Sequence, residues 1–169
     1  MPLIESSEFL AELLVSGFGE LHSLLKSAQA ASPAVPGKSY EKVIGFSLAM
    51  FEHANEYRRV NRALFGSNAA IVRRQIHSVL ASIVGKEVEM EFRRHKRVDR
   101  AVSPELLTHF LVSTYISVMS WWLKAKNPVP PKEIDAAYRH LVLPCLASIF
   151  EEPQTDKSAK VSTPSERRK

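Results

Sequence analysis

The chain has 169 residues, of which 45% are hydrophobic and 24% are charged, and its formal net charge is +5. These values are ordinary for a globular protein and suit one domain with a sizeable core. The single cysteine, Cys145, excludes an internal disulfide and favours a reducing compartment. Because the first residues also lack the pattern of a secretory signal, we expect a cytoplasmic protein.

Much of the positive charge belongs to the end of the chain, so the net charge is weak evidence for binding to nucleic acid. The last thirteen residues hold Lys157, Lys160, Arg167, Arg168 and Lys169. Residues 151–169 also hold no aromatic side chain and few apolar ones. This composition predicts a disordered basic tail that follows one helical domain at residues 1–150.

Hydrophobic periodicity and the placement of turn residues predict an all-α chain of about six helices. Two starts are well marked: Ser103-Pro104-Glu105 supplies a cap, a proline and an acid, and Pro131 opens the last helix. Clusters of proline and glycine separate the helices at 32–37 and 128–131. The predicted helices cover residues 6–30, 39 to about 53, 56–65, 68 to about 97, 103–123 and 131–150.

The fifth predicted helix is apolar on nearly all sides. Leu106 to Leu123 contains no formally charged residue and would span roughly 27 Å, long enough to ask about a membrane. Its six serine, threonine and histidine side chains disfavour that interpretation. Two alternatives stay open: a central core helix of a monomer, or a helix with one face on its own core and one against another subunit.

Three segments carry a resemblance to a known family. WWLKAKNPVPPKEI at 121–134 ends one apolar helix in tryptophan and opens the next, YRRVNRALFG lies at 57–66, and SEFLAELL lies at 7–14. Together they resemble the C-terminal domain of TetR-family transcriptional regulators over about residues 6–150. In that family the helix that begins with the 7–14 segment follows a helix-turn-helix head. We expect this chain to lack that head. A fragment, a wrongly assigned start and a naturally headless regulator are equally compatible with the sequence.

The resemblance implies a homodimer in which the last two helices of each subunit form a four-helix bundle. The implied interface positions are Val112, Ser113, Ile116, Ser117, Ser120, Leu141 and Leu143. It also implies a pocket for a small apolar effector, which shifts the population of two domain arrangements. The implied ligand-binding residues are Phe46, Met50, Phe51, Tyr57, Phe65, Tyr115, Met119 and Trp122. DNA would be contacted only through a head domain that is absent from this chain.

An alternative from another class is a headless helical adaptor that dimerises with a protein partner and needs no effector. The sequence offers no motif for an enzyme, a metal or a cofactor, so we expect none of the three. The basic run at 93–100 is interpreted as a solvated helix end rather than a phosphate site. We expect Cys145 to be a buried structural thiol, Trp122 to anchor the core, and Trp121 to pack over the 128–131 link.

Overall fold

The computed structural model describes the backbone of residues 3–67, 69–95 and 101–151, and the side chains of 17–62, 70, 72–95 and 101–151. The predicted tail lies outside these residues, apart from Glu151. Within them the chain forms six α-helices and one 3-10 helix, which confirms the all-α prediction. The elements are α1 (Leu3–Ala31), η1 (Ser39–Ile44), α2 (Ser47–Glu56), α3 (Arg58–Ser67), α4 (Ala69–Arg94), α5 (Pro104–Lys124) and α6 (Pro131–Phe150).

Helices α5 and α6 begin where the sequence predicts, because their start signals are local. The Ser103 hydroxyl accepts a hydrogen bond from the Leu106 amide at 3.2 Å, and Pro104 occupies the first turn, where no amide partner is needed. Helix α6 likewise has a proline in its first turn and Glu133 close behind it. These two helices are the part of the fold that the sequence predicts best.

The second predicted helix is wrong in type, because the chain from Ser39 is first a 3-10 helix and becomes α-helical only at Ser47. In a continuous α-helix the Phe46 amide would donate to the Lys42 carbonyl, four residues earlier. The carboxamide of Gln29 stands between these two groups instead. Its oxygen accepts from the Phe46 amide at 2.8 Å, and its nitrogen donates to the Lys42 carbonyl. A side chain inserted in this way breaks the helical ladder.

Close packing at the same junction explains a glycine. A Cβ atom at Gly45 would lie 2.6 Å from the Ser32 Cβ, closer than two carbon atoms approach without displacement. Gly45 therefore lets the end of α1 approach the turn between η1 and α2. The polar contact of Gln29, itself only 3% exposed, depends on that approach.

The helices pack around α5, whose buried face supplies the centre of the core. Helix α4 lies along α5, α6 packs against α2 and η1, and α1 closes the far side against α4. By length and composition α5 alone among the described helices resembles a membrane span, but half of its apolar window is buried inside the domain. Such burial is typical of the core helix of a globular protein, and the observation is weak evidence for a membrane.

We expect Gln29→Leu to lower the free energy of unfolding by about 2 kcal/mol, because it leaves the buried Phe46 amide without a partner. Urea denaturation followed by circular dichroism measures this. Gln75→Leu, the same change at an exposed position of α4, should stay within about 0.5 kcal/mol of the parent protein. Equal losses in the two variants would contradict the proposed role of the amide.

Candidate functional site

Six of the eight predicted ligand-binding residues form one packed cluster at the centre of the domain. Each is at most 2% exposed: Phe46, Met50, Phe51, Tyr115, Met119 and Trp122. The ring of Tyr115 lies 5.0 Å from Phe46 and 4.8 Å from Phe51, measured between centroids. Phe51 in turn meets Trp122 edge to face at 5.5 Å. These separations are those of directly packed aromatic pairs.

The other two predicted ligand-binding residues lie apart from this cluster. Tyr57 is 49% exposed at the start of α3 and packs against His53, with ring centroids 4.9 Å apart. The side chain of Phe65 lies outside the described residues. The sequence pattern therefore brings six of the eight together, and their role toward an effector stays a prediction.

Beside the aromatic cluster lies a buried polar network that joins α2, α5 and α6. The Ser47 hydroxyl donates to the Asp135 carboxylate, which also receives the Arg139 guanidinium at 2.9 Å. Arg139 extends further to the Ile44 carbonyl at 3.2 Å. Asp135 is 6% exposed, and a charge so buried is tolerated because it is both paired and hydrogen-bonded. The network fixes the start of α2 against α6.

Two tyrosine hydroxyls connect this network to the centre of α5. The Tyr115 hydroxyl donates to the Ser47 carbonyl at 3.0 Å, and the Tyr138 hydroxyl donates to the Leu111 carbonyl at 3.3 Å. Burial raises the pKa of both phenols above their ordinary value, and the negative charge of Asp135 adds to the effect. Both side chains therefore serve as neutral hydrogen-bond donors.

Trp122 carries out the two roles that the sequence analysis divides between the tryptophans. It is 1% exposed in the core, and its indole N–H donates to the Val129 carbonyl at 2.8 Å. Trp122 therefore anchors both the core and the link at 128–131. The expectation for Trp121 is wrong, because that side chain is 68% exposed and has no hydrogen bond in the described part of the chain.

Arg58, the first residue of α3, caps the C-terminal end of α5. Its guanidinium donates to the Trp122 carbonyl at 2.7 Å and the Leu123 carbonyl at 3.2 Å, and it lies 4.7 Å above the Trp122 ring. These carbonyls belong to the last helical turn, where a positive charge is favourable. Burial, and secondarily the charge of Arg62, lowers the pKa of this guanidinium.

The predicted dimer-interface positions divide into buried and accessible ones. Val112, Ile116 and Ser120 are at most 8% exposed within a single chain, so they serve the subunit's own packing. Ser120 accepts a hydrogen bond from Arg73 of α4 at 3.2 Å. The accessible positions are Ser113, Ser117, Leu141 and Leu143, of which Ser113 and Leu143 are half-buried. For these four the interface role stays a prediction.

Large apolar side chains that the interface prediction does not include are exposed on α5. Leu106 is 55% exposed and Phe110 is 43% exposed, one helical turn apart. Leu141, on the neighbouring helix α6, is 64% exposed. We call Leu106, Phe110 and Leu141 the outer face. Burial could not be deduced for these positions from an apolar pattern that runs around most of α5.

A groove of about 660 Å³ runs between α4 and α5. We call it the α4–α5 groove. None of the seven predicted ligand-binding residues whose side chains the structure describes lines it. Helix α4 contributes Arg73, Arg74 and His77, and α5 contributes Ser113, Ile116, Ser117, Ser120, Trp121 and Lys124. The basic side of the groove carries no sequence signal, because Arg73 and Arg74 fit the solvated face of an ordinary helix.

The basic run at the end of α4 is engaged with acids where it is described. Arg93 pairs with Glu89 at 3.4 Å, and Arg94 pairs with the buried Glu91 at 2.6 Å. Glu91 also contacts His95 and accepts from the Ser39 hydroxyl at 2.6 Å. Residues 96–100 lie outside the described part of the chain. The hydrogen bond from Ser39 to Glu91 ties the end of α4 to η1, which favours a structural role for the described portion.

Two further expectations concern reactive or metal-binding side chains. Cys145 is exposed on α6, so the expectation of a buried thiol is wrong. Pro144 precedes it inside the helix, and the neighbouring Val142 and Leu146, rather than Cys145, face the core. Within the described ranges, no three histidine, cysteine or acidic side chains come close enough to hold a metal ion.

The described helices enclose a buried aromatic centre, and α5 and α6 expose large apolar side chains to solvent. A TetR-type family model described as a transcriptional regulator C-terminal region matches residues 41–142, more than half of the chain. The chain therefore belongs to this family, as the sequence resemblance predicts. No curated protein and no solved structure matches it.

We expect Trp122→Phe to destabilise the domain by about 2–3 kcal/mol, because it removes buried volume and the hydrogen bond to the Val129 carbonyl. Trp121→Phe is the matched control and should change stability by less than about 0.5 kcal/mol. Denaturant titration of both variants measures the difference. A larger loss at Trp121 would refute the division of roles.

The raised pKa of Tyr138 predicts alkaline destabilisation. In the unfolded chain a tyrosine loses its proton near pH 10, whereas burial makes the folded chain keep it. The folded state then binds more protons above about pH 10, so this contribution to stability is constant below that pH and falls as pH rises. Above about pH 10 the free energy of unfolding should therefore decrease with pH. Removing the hydroxyl with Tyr138→Phe should make this decrease shallower by up to about 1.4 kcal/mol per pH unit.

Free energies of unfolding measured from pH 9 to 11 provide the comparison. Tyr57→Phe removes a hydroxyl from a half-exposed side chain and serves as the control. If the free energy of unfolding of Tyr138→Phe depends on pH as that of the parent protein does, ionisation of this phenol does not affect stability.

Proposed function

We propose that this chain is the effector-binding and dimerisation domain of a TetR-like transcriptional regulator that works in the cytoplasm as a homodimer. Membership of a family of transcriptional regulator C-terminal regions supports a regulatory rather than an enzymatic role. DNA recognition is proposed to belong to a helix-turn-helix head outside this sequence. The observation that carries the proposal is the outer face on α5 and α6.

The outer face supports association of two copies through these helices. Leu106, Phe110 and Leu141 are each more than two-fifths exposed, and large apolar side chains in water are stabilised when a partner covers them. A two-fold axis would place the same helices of a second copy against them, as in a four-helix bundle. The contact needs roughly 1,000 Å² or more of buried surface, which helices of 21 and 20 residues can provide.

Effector binding is proposed to act by changing which domain arrangement is populated. Phe46, Phe51 and Tyr115 already fill the space between one another, so a ligand in the aromatic centre must separate them. Separation at Phe46 would pull on Gln29 and hence on α1, the helix that the resemblance places next to the head. An effector that favours the separated state shifts the equilibrium by its difference in affinity between the two states.

The second candidate is a helical adaptor that dimerises with a protein partner and needs no effector. The tight packing of the predicted ligand-binding residues against one another favours it. A ligand screen by thermal denaturation separates the two candidates. Stabilisation by a small molecule supports the regulator, whereas association without any ligand response supports the adaptor.

We expect the purified chain to have twice its 19.0 kDa mass at micromolar concentration and Leu141→Asp to shift it to a monomer. A buried carboxylate opposite an apolar surface should weaken association roughly thirtyfold or more. Val60→Asp makes the same change at a 57% exposed position of α3 and should leave the mass unchanged. Analytical ultracentrifugation measures all three. A monomeric parent chain would refute the homodimer.

A further inference from the structure

We propose that His77 of α4 and His109 of α5 bind one Zn²⁺ ion, or a similar divalent transition-metal ion, between the two helices. The imidazole rings of this pair lie 5.6 Å apart, measured between centroids. The proposal goes beyond the proposed function and does not rest on it, because both ligands belong to a single chain. Spacing along the sequence gives no sign of the pair, since the two histidines lie on different helices.

The two histidines line a cavity of about 290 Å³ between α4 and the first half of α5. We call it the histidine cavity. On α4 it is lined by His77, Ala81, Gly85 and Glu89, which recur at every fourth residue and so form one stripe. The small residues of this stripe leave the space open. A Cβ atom at Gly85 would lie 3.7 Å from the methyl carbon of Thr108, an ordinary contact distance.

The separation of the two rings is close to what a shared metal ion requires. With bonds of about 2.0–2.1 Å from Zn²⁺ to a nitrogen of each ring, the ring centres would lie about 3.2 Å from the ion. A tetrahedral angle between these bonds then places the ring centres about 5.2 Å apart, against the observed 5.6 Å. The helices therefore need not move for both imidazoles to reach one ion.

The Nε2 atom of His77 lacks a hydrogen-bond partner. It is shut off from solvent, and none of the described residues donates to it or accepts from it. Buried polar nitrogen atoms are normally paired, because an unpaired one has lost its hydration without compensation. Packing of the two rings against each other leaves this cost in place, whereas a metal ion bonded to the nitrogen removes it. Imidazole nitrogen is a common ligand of Zn²⁺, Ni²⁺ and Cu²⁺.

The charge of the histidine cavity favours a cation. The carboxylates of Glu89 and Glu105 line it, whereas no lysine or arginine in the described ranges does. Glu89 also pairs with Arg93 at 3.4 Å, but both side chains are exposed and the pair is weak. Because no three histidine, cysteine or acidic side chains of the described part converge, water completes the coordination. The carboxylates are placed to attract the ion and to accept hydrogen bonds from that water.

The histidine cavity and the outer face lie on different sides of α5. Neither Leu106 nor Phe110 lines the cavity, and none of the seven predicted interface positions does. At about 100° per residue, Glu105 lies about 100° and Thr108 about 160° around the helix from Leu106. A second copy that covers the outer face therefore leaves the cavity between α4 and α5 unchanged. A bound ion would clamp the first half of α5 to α4 in a monomer and in a dimer.

The test is isothermal titration of the full chain, stripped of metal with EDTA, with ZnCl₂ and with MgCl₂. Mg²⁺ is the control cation, because it prefers oxygen ligands. All samples carry Cys145→Ser, because the exposed thiol would bind Zn²⁺ by itself. We expect Zn²⁺ to bind at one site with a sub-millimolar Kd and Mg²⁺ not to bind.

Variants of the two histidines identify the site. His109→Ala changes an exposed side chain and should weaken Zn²⁺ binding at least about tenfold. His77→Ala/His109→Ala should weaken it little further, because one imidazole alone holds the ion poorly. His22→Ala/His53→Ala removes two imidazoles outside the cavity and should leave Kd unchanged. Circular dichroism establishes that each variant is folded without metal.

Electron paramagnetic resonance of bound Cu²⁺ gives a readout that does not depend on affinity. We expect splitting from two nitrogen ligands in the parent chain and from no more than one in His109→Ala. Three results would overturn the proposal: no Zn²⁺ binding at millimolar concentration, full binding by His109→Ala, or equal losses in the two double variants.

Discussion

The Gln29 carboxamide between Lys42 and Phe46 is the contact on which the rest of the domain depends. It ends the 3-10 helix and lets α2 begin in a new direction. That direction brings the Phe46 ring to Tyr115 and the Ser47 hydroxyl to Asp135. The aromatic centre and the polar network are therefore both consequences of where one amide interrupts one helix. Because the amide belongs to α1, movement of α1 and repacking of the centre are physically coupled.

Helix α5 has three different surroundings around its circumference. One side meets α4, a second holds Tyr115 and Trp122 in the core, and the third carries Leu106 and Phe110 into solvent. Arg58 satisfies its final carbonyls, so its end is held without exposed backbone in the core. A helix of this kind can transmit an event on one side to the other two, because it moves as a rigid unit.

The parts of the fold predicted from sequence are those that short-range chemistry determines. Ser103 caps α5 through a contact three residues away, and six of the eight aromatic and methionine positions cluster because their periodicity defines one side of each helix. The break before α2 was missed because Gln29 lies far from it along the chain. Val112, Ile116 and Ser120 were assigned to an interface because an apolar composition indicates that a helix is buried on all sides. It does not indicate which neighbour buries each side. The groove was missed for the same reason, since Arg73 becomes informative only beside Ser120.

The exposure of Cys145 has a consequence for how the molecule behaves in air. The sequence contains one thiol, and it lies on the surface of α6, one turn from Leu141. Without a reductant, oxidation can join two chains through this sulfur whether or not their surfaces are complementary. Such a covalent pair has the same mass as a native dimer but survives denaturant and disappears with dithiothreitol. Under reducing conditions only non-covalent association can remain, so a mass measurement that bears on the proposed dimer requires a reductant.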